Sequence, residues 1–99
     1  MITGSQCRAA RALVEVTRGM LSFRASVDET IIHDFERKLQ APDEATIAKL
    51  QAALESLGAV FVNENGGGIG VRLKFTASAA RRIARLEGEG GIVASDRVP

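Results

Sequence analysis

Residues 17–37, TRGMLSFRASVDETIIHDFER, decide the fold of this 99-residue chain. They predict two short helices, Arg18 to Ala25 and Glu29 to Arg37. Thr17 and Asp28 precede them, and both side chains can cap the exposed N–H groups of a first helical turn. Apolar residues three or four apart give each helix an inner face: Leu21, Ala25, Ile32 and Phe35. Two amphipathic helices joined by so tight a turn predict a helix-turn-helix unit.

The charge of the second helix conflicts with the usual use of such a unit. The second helix normally enters the DNA major groove, where lysine and arginine neutralise phosphate. Residues 28–44 hold six acidic and two basic residues, a net charge of −4, whereas residues 1–27 sum to +3. The predicted second helix carries four of the acids: Asp28, Glu29, Asp34 and Glu36.

The composition predicts one ordinary globular domain. Hydrophobic residues make up 45% of the chain and charged residues 25%, enough for a single core. Four Phe without Trp or Tyr argue against an aromatic platform for single-stranded nucleic acid. Cys7 is the only cysteine, which excludes an internal disulfide and favours a core position in a reducing cytoplasm. The N-terminus does not resemble a signal peptide, and no apolar run is long enough to span a membrane.

Two further helices flank the central pair. Thr3 and Gln6 have the spacing of a capping box, which predicts a first helix from about Gly4 to Val16. Its predicted buried residues are Cys7, Ala10, Leu13 and Val14. Asp43 is a predicted cap for a fourth helix, which Gly58 would end. That helix carries one apolar stripe: Ile47, Leu50, Leu54 and Leu57.

A β-hairpin is predicted after Gly58, where the hydrophobic period changes to two. Residues 59–63 and 69–75 read as strands, joined by the turn sequence NENGGG. We do not interpret this glycine-rich loop as a phosphate site, because neither Lys-Ser/Thr nor a helix follows it.

The remaining residues are predicted to add little to the core. A short helix is expected from Ala77 to Glu87, followed by a flexible tail. Its apolar face would comprise Ala80, Ile83 and Leu86, with Arg81, Arg82 and Arg85 outside. The predicted organisation is a helix-turn-helix domain with its hairpin at 1–75, a short helix within 76–87 and a tail at 88–99.

Residues 1–75 resemble the small Cro/cI-type (XRE) helix-turn-helix regulators of bacteria. Four segments carry the resemblance: ITGSQCRAARAL, SVDETIIHDFE, APDEATIAKLQAALESLG and FVNENGGGIGVRL. It implies a mainly α fold, in which four to five helices of the Cro/cI type precede a two-stranded β-hairpin.

The chain departs from the family pattern in ways that bear on function. Ser26 stands where the family usually has Gly or Asn in a left-handed turn. Met20, Phe23 and Ile31 stand where polar or DNA-facing residues are usual. Either they form an exposed apolar patch rimmed by acids, typical of a protein-binding surface, or they pack inward in a shifted helix.

Three functions follow from the resemblance. The first is a transcription regulator that binds an activator protein, similar to the antiactivators of quorum sensing or conjugative transfer that share this fold. Its protein-binding residues would be Met20, Phe23, Glu29, Ile31 and Asp34. The second is an operator-binding repressor that reads DNA with Arg18, Thr30, His33, Arg37 and Lys38. The third is a modulator that forms mixed dimers with a basic relative.

No enzymatic function is predicted. The sequence has no recognisable set of nucleophile, base and orienting residue. His33 is interpreted as a surface or polar-network residue, so neither a metal site nor a cofactor is predicted.

Overall fold

The computed structural model describes residues 1–74, which form four helices followed by a two-stranded hairpin. The mainly helical fold followed by a two-stranded hairpin is thereby confirmed, with four helices among the described residues rather than five. The elements are α1 (Gly4–Val14), α2 (Arg18–Ala25), α3 (Glu29–Glu36), α4 (Glu44–Ser56), β1 (Ala59–Val62) and β2 (Gly70–Leu73). The predicted helix at 77–87 and the tail at 88–99 lie outside the described residues.

The α1 helix begins with the predicted capping box. The Gln6 N–H donates to Thr3 Oγ1 at 3.1 Å, and the Thr3 N–H donates to Gln6 Oε1 at 2.9 Å. The helix ends at Val14 rather than Val16, because Glu15 adopts a left-handed conformation with φ 61°. The predicted burial of Leu13 is wrong, since its side chain is 39% exposed. The inner stripe of α1 runs through Cys7, Ala10 and Val14, and Leu13 lies beside it.

The α2 and α3 helices have their predicted caps and a tight connection. Thr17 accepts a hydrogen bond from the Met20 N–H at 3.0 Å, and Asp28 accepts one from the Thr30 N–H at 2.8 Å. Ser26 is left-handed with φ 57°, as predicted. The four residues predicted to face inward are all buried: Leu21, Ala25, Ile32 and Phe35. The α3 helix ends at Glu36, one residue before the predicted end.

The α4 helix closes the helical core. Asp43 caps it by accepting the Thr46 N–H at 2.8 Å, and hydrogen bonding from the Thr46 side chain and N–H lowers the pKa of the Asp43 carboxyl. The predicted stripe is buried at Ile47, Leu50 and Leu54, whereas Leu57 is half-buried. Gly58 follows with φ 112°, a conformation that favours glycine, so the predicted stop is confirmed.

The hairpin is antiparallel, with Ala59 opposite Leu73 and Val62 opposite Gly70. Gln6 joins it to α1, because its Nε2 donates to the carbonyls of Val62, at 3.3 Å, and Gly70, at 2.9 Å. The strands are shorter than predicted within the described residues, since Asn63 and Ile69 belong to the loop. In that loop the Glu64 carboxylate accepts the N–H groups of Gly66 and Gly68.

The α1 helix meets α3 at very close range. A Cβ atom added to Gly4 would lie 2.0 Å from the carbonyl oxygen of Phe35, so only glycine fits there. The core beneath this contact is centred on five fully buried side chains: Cys7, Leu21, Ile32, Leu50 and Leu54. Of the four helices in residues 1–74, none combines the length and the hydropathy that a membrane crossing requires.

Candidate protein-binding surface

The outer face of α2 is apolar. Since Leu21 and Ala25 point into the core, the helical period places Met20 and Phe23 on the opposite side. Met20 is 56% exposed and Phe23 is 89% exposed. The alternative in which these side chains pack inward is therefore wrong.

Met20 and Phe23 line an open hollow of about 820 Å³, which we call the α2 hollow. One wall is the end of the α1–α2 connection, at Val16 and Thr17, and the other is Leu57, directly after α4. Its lining is mostly apolar or small: Val16, Thr17, Gly19, Met20, Phe23 and Leu57. Arg24 is the one charged residue among the described lining residues. This surface can take up an apolar side chain or one face of a helix.

Glu29 lies beside the N-terminus of α2. A Cβ atom added to Gly19 would lie 3.7 Å from Glu29 Oε1, which places the carboxylate against the first turn of that helix. The N-terminus of a helix carries a partial positive charge and exposed N–H groups, so it attracts an anion. Here the Glu29 carboxylate already lies next to that position.

Basic side chains surround Glu29 in a second hollow, the basic hollow, of about 530 Å³. It shares Thr17 and Gly19 with the α2 hollow, so the two are neighbours. Its charged lining consists of Arg8, Arg11, Arg18, Arg37, Glu29 and Glu36. Arg8 and Arg37 also line an adjoining hollow that includes Lys38. Three of the predicted DNA-binding residues, Arg18, Arg37 and Lys38, thus lie along one basic strip.

Sequence reasoning missed the contribution of Arg8 to this strip. Arg8 belongs to α1, whose role was interpreted only through its buried residues. Arg8 could have been recognised from its place on the outer side of the predicted first helix, one residue after buried Cys7.

Ile31 and Asp34 lie apart from Met20 and Phe23. They line a separate hollow, of about 230 Å³, against the α3–α4 connection that contains Pro42. Ile31 is 40% exposed, so it is less available than Phe23. The five predicted protein-binding residues are therefore distributed over three hollows, with Met20, Phe23 and Glu29 on the two that adjoin.

His33 and Thr30 complete the outer side of α3. His33 Nδ1 lies 3.0 Å from Asp34 Oδ1, in a pair whose side chains are 41% and 31% exposed. Thr30 is exposed. Both could reach a ligand that approaches α3 from outside, but neither lines the basic hollow among the described residues.

Glu36 is not on the outer face, which corrects the expected charge of α3. It is 4% exposed and accepts hydrogen bonds from Arg11 Nε and Nη2, both at 2.7 Å. The Cys7 Sγ lies 3.4 Å from Glu36 Oε2, and burial together with this carboxylate raises the pKa of the thiol. The hydrogen bond to Glu36 likewise raises the pKa of Arg11. The group is therefore a buried structural ion pair between α1 and α3.

The acidic charge on the outer side of α3 is correspondingly smaller than the sequence suggested. Glu36 is paired inside with Arg11, whereas Asp28 caps the helix and stays exposed. Asp28, Glu29 and Asp34 remain as outward acids, and Asp34 is near His33. Repulsion of DNA therefore depends on these three carboxylates rather than on four.

No model of a known protein family matches the sequence, and no curated protein matches it at a significant level.

Proposed function

We propose that the chain is a bacterial transcription regulator of the Cro/cI-type (XRE) helix-turn-helix class, located in the cytoplasm, that acts by binding an activator protein. In this proposal α2 and α3 are the helix-turn-helix pair, and the chain is an antiactivator of the quorum-sensing or conjugative-transfer kind. The activator supplies an apolar helix face that enters the α2 hollow.

The observation that carries the proposal is the exposure of Phe23 beside Met20. A phenylalanine that is 89% exposed leaves nearly all its apolar surface in water. Covering such a side chain contributes about 1.5–3 kcal/mol. Buried aromatic anchors often dominate the energy of protein interfaces. An outward phenylalanine next to an apolar hollow is therefore suited to hold a partner.

The position of Glu29 supports the same proposal. In a helix-turn-helix docked on DNA, the first helix of the pair crosses the phosphate backbone. Here a carboxylate stands at the N-terminus of that helix, where a phosphate would be favoured. A phosphate that approaches α2 would meet a negative charge instead of an open anion site, which weakens DNA binding.

Site-specific photo-crosslinking tests the proposal. Phe23 is replaced by p-benzoylphenylalanine, and crosslinking is performed in the cells that produce the protein. The matched control carries the same residue at Leu39, which is 68% exposed and lines a different surface. We expect a transcription activator crosslinked from position 23 and not from position 39.

Function is then measured in transcription reconstituted with that activator. The unmodified chain should suppress activation, Phe23→Ser should lose suppression and Leu39→Ser should retain it. Suppression by Phe23→Ser equal to that of the unmodified chain would refute the role of the α2 hollow.

A second candidate, an operator-binding repressor, is favoured by the basic strip. Four basic residues lie close together: Arg8, Arg18, Arg37 and Lys38. Arg11 neutralises the negative charge of Glu36. Lysine and arginine contacts to phosphate supply much of the affinity of DNA-binding proteins. The Glu29 carboxylate limits this function, so its removal should increase DNA binding.

The two candidates are separated by Glu29→Gln and its matched control Glu44→Gln. Both remove one exposed acid, but Glu44 lies in the first turn of α4, away from the basic hollow. We expect only Glu29→Gln to raise affinity for double-stranded DNA clearly, at one fixed salt concentration. An equal rise in both variants would show a non-specific effect of net charge.

A further inference from the structure

We infer that the occupant of the α2 hollow is an acidic amphipathic helix, which crosses α2 at Gly19 and directs a carboxylate into the basic hollow. This helix is the partner segment of the proposed function, on which the inference rests. Its apolar side covers Met20 and Phe23, and its acidic side meets the arginines beside them.

The two adjoining hollows carry a positive charge. Together their linings hold five arginines and two glutamates, a net charge of +3. Helix α2 itself carries Arg18 and Arg24 and no acidic residue, and Arg24 is exposed beside Phe23. Complementary charges across an interface favour the correct partner, because like charges brought together repel. A helix that covers Met20 and Phe23 therefore needs acidic residues next to its apolar side.

Gly19 lies where the two hollows meet, since it lines both. The described part of the chain does not need a glycine at this position. Its φ is not left-handed, and an added Cβ atom would lie 3.7 Å from Glu29 Oε1 and 3.8 Å from Thr17 Oγ1, which are ordinary contacts. Alanine would also be the better helix former. The missing side chain instead opens the outer side of α2 to a second helix, whose axis can lie about 8 Å away.

A helix that crosses α2 at Gly19 reaches both hollows. Because the hollows adjoin, neighbouring turns of one helix, about 5.4 Å apart, can place an apolar anchor in the first and a carboxylate in the second. Arg11 of the basic hollow is already paired with Glu36, whereas Arg18 and Arg37 line the same hollow outside that pair. Arginine binds carboxylates through two parallel hydrogen bonds, so these side chains suit an incoming acid.

Two other occupants fit this surface less well. In a twofold dimer a patch meets its own copy, so two positive linings would face each other and repel. Duplex DNA has the required negative charge, but its phosphates would meet the arginines and leave the apolar surface of Phe23 uncovered. A helix with one apolar and one acidic side satisfies both features of the surface.

Peptide titration of the full chain, followed by methyl NMR, tests the inference. The probe is a stapled helix of roughly 15 residues, a length at which an unstapled helix is marginal, with leucines along one side and glutamates beside them. A matched peptide has glutamine at each glutamate position. Labelled methionine gives two methyl signals, and Met1 serves as the internal control because it is not among the described residues that line the α2 hollow. We expect the glutamate peptide to shift only the Met20 signal, and to bind roughly two- to fivefold tighter per ion pair than the glutamine peptide. Equal binding of the two peptides would overturn the inference, as would an unchanged Met20 signal.

Arg24→Glu and its matched control Arg72→Glu test the charge of the surface. Both variants make the same change, but Arg72 is exposed on β2 and is not among the described residues of either lining. We expect only Arg24→Glu to weaken binding of the glutamate peptide, and to gain affinity for a peptide with lysine at the glutamate positions. Equal affinities of the two variants for the glutamate peptide would overturn the inference.

Gly19→Ala and its matched control Gly67→Ala test the crossing point. Gly67 lies in the hairpin loop, where an added Cβ atom would meet its nearest listed neighbour, Asn65 Oδ1, at 3.8 Å. We expect Gly19→Ala to keep or raise the melting temperature and yet to weaken peptide binding roughly tenfold, because the added methyl group blocks close approach. Peptide binding as tight as that of Gly67→Ala would overturn the crossing at Gly19. A lower melting temperature of Gly19→Ala would also overturn it, since the chain itself would then need the glycine.

Two further samples identify other occupants. In one, duplex DNA of random sequence replaces the peptide, and in the other the concentration of the chain alone is varied. A Met20 shift with DNA but not with the glutamate peptide would assign the surface to nucleic acid. A Met20 shift that grows with chain concentration would assign it to a second copy, and either result would overturn the inference.

The outcome is separable from that of the proposed function, because no activator is present in these samples. If an activator crosslinks from position 23 but the glutamate peptide does not bind, only the acidic helix is refuted. If the peptide binds as expected but the chain does not suppress an activator, only the proposed function is refuted.

Discussion

The contact between α1 and α3 buries a charged side chain, whereas the outer face of α2 exposes apolar side chains. Between α1 and α3, Glu36 lies inside with 4% exposure, and the half-buried Arg11 reaches it from the surface. On α2, a phenylalanine is 89% exposed. A buried charge needs a partner with good geometry, and Arg11 supplies two hydrogen bonds at 2.7 Å. An exposed phenylalanine has no comparable compensation within the described residues.

The difference separates residues that hold the fold from residues available for binding. The polar pair is satisfied by the chain itself, because both Glu36 oxygens accept hydrogen bonds from Arg11. Met20 and Phe23 contribute little to the core and remain available. Changes in the first region should therefore alter stability, and changes in the second should alter binding.

The largest expected effect on stability is that of Arg11→Met. It leaves the Glu36 carboxylate buried without its cation, and removal of one partner of a buried pair costs about 3–5 kcal/mol. Urea unfolding measures this loss. The double variant Arg11→Met/Glu36→Leu should recover much of it, because no charge then remains buried. A single variant as stable as the unmodified chain would show that the pair is not needed.

Gly4→Ala should have the next largest effect, at the same contact between α1 and α3. The added Cβ would lie 2.0 Å from a backbone oxygen, so α1 has to move. Such overpacking costs about 1–3 kcal/mol. Ser5→Ala is the matched control, since Ser5 is exposed on the same helix. Equal melting temperatures for the two variants would contradict the close approach of the helices.

Ser26→Gly should stabilise the turn between α2 and α3. Ser26 has φ 57°, where a side chain costs roughly 1–2 kcal/mol and glycine costs little. Allowing for the greater freedom of glycine in the unfolded chain, we expect a gain of about 1 kcal/mol in thermal unfolding. A loss of stability would mean that the left-handed turn is not strained.

Phe23→Ser should change stability least. Surface substitutions usually fall within about 0.5 kcal/mol, and Phe23 makes little contact with the core. Suppression of the activator should nevertheless be lost. Destabilisation comparable to that of Arg11→Met would place Phe23 with the fold rather than with the binding surface.

The local features of the fold could be predicted because they act over a few residues. Thr3, Thr17, Asp28 and Asp43 each cap a helix by a bond to an N–H two or three residues later. The period of two after Gly58 likewise predicted the hairpin. The predicted ends of the strands and of α1 were less accurate, since a single left-handed residue such as Glu15 can stop a helix early.

Long-range contacts could not be predicted in the same way. The pairing of Arg11 with Glu36 spans 25 positions, and the bond from Gln6 to Gly70 spans 64. Helical spacing places Glu36 on the side of Ile32 and Asp34 on the opposite side, but the local pattern does not reveal the distant arginine that allows a carboxylate to be buried. The acids of α3 were therefore all counted as outward charge. For the candidate site, the sequence offered the exposure of Met20 and Phe23 as one of two alternatives, and it did not predict the walls that Val16 and Leu57 contribute.

Selection of DNA from a random double-stranded library by the full chain at physiological salt tests the central claim most directly. The claim is that the chain regulates through the α2 hollow and not through an operator. We expect weak binding that falls steeply with salt and enriches no sequence, as backbone contacts alone produce. Enrichment of one sequence, bound with a Kd of about 10⁻⁸ M or tighter, is the hallmark of specific recognition. That result would contradict the account and assign the chain to the operator-binding repressors.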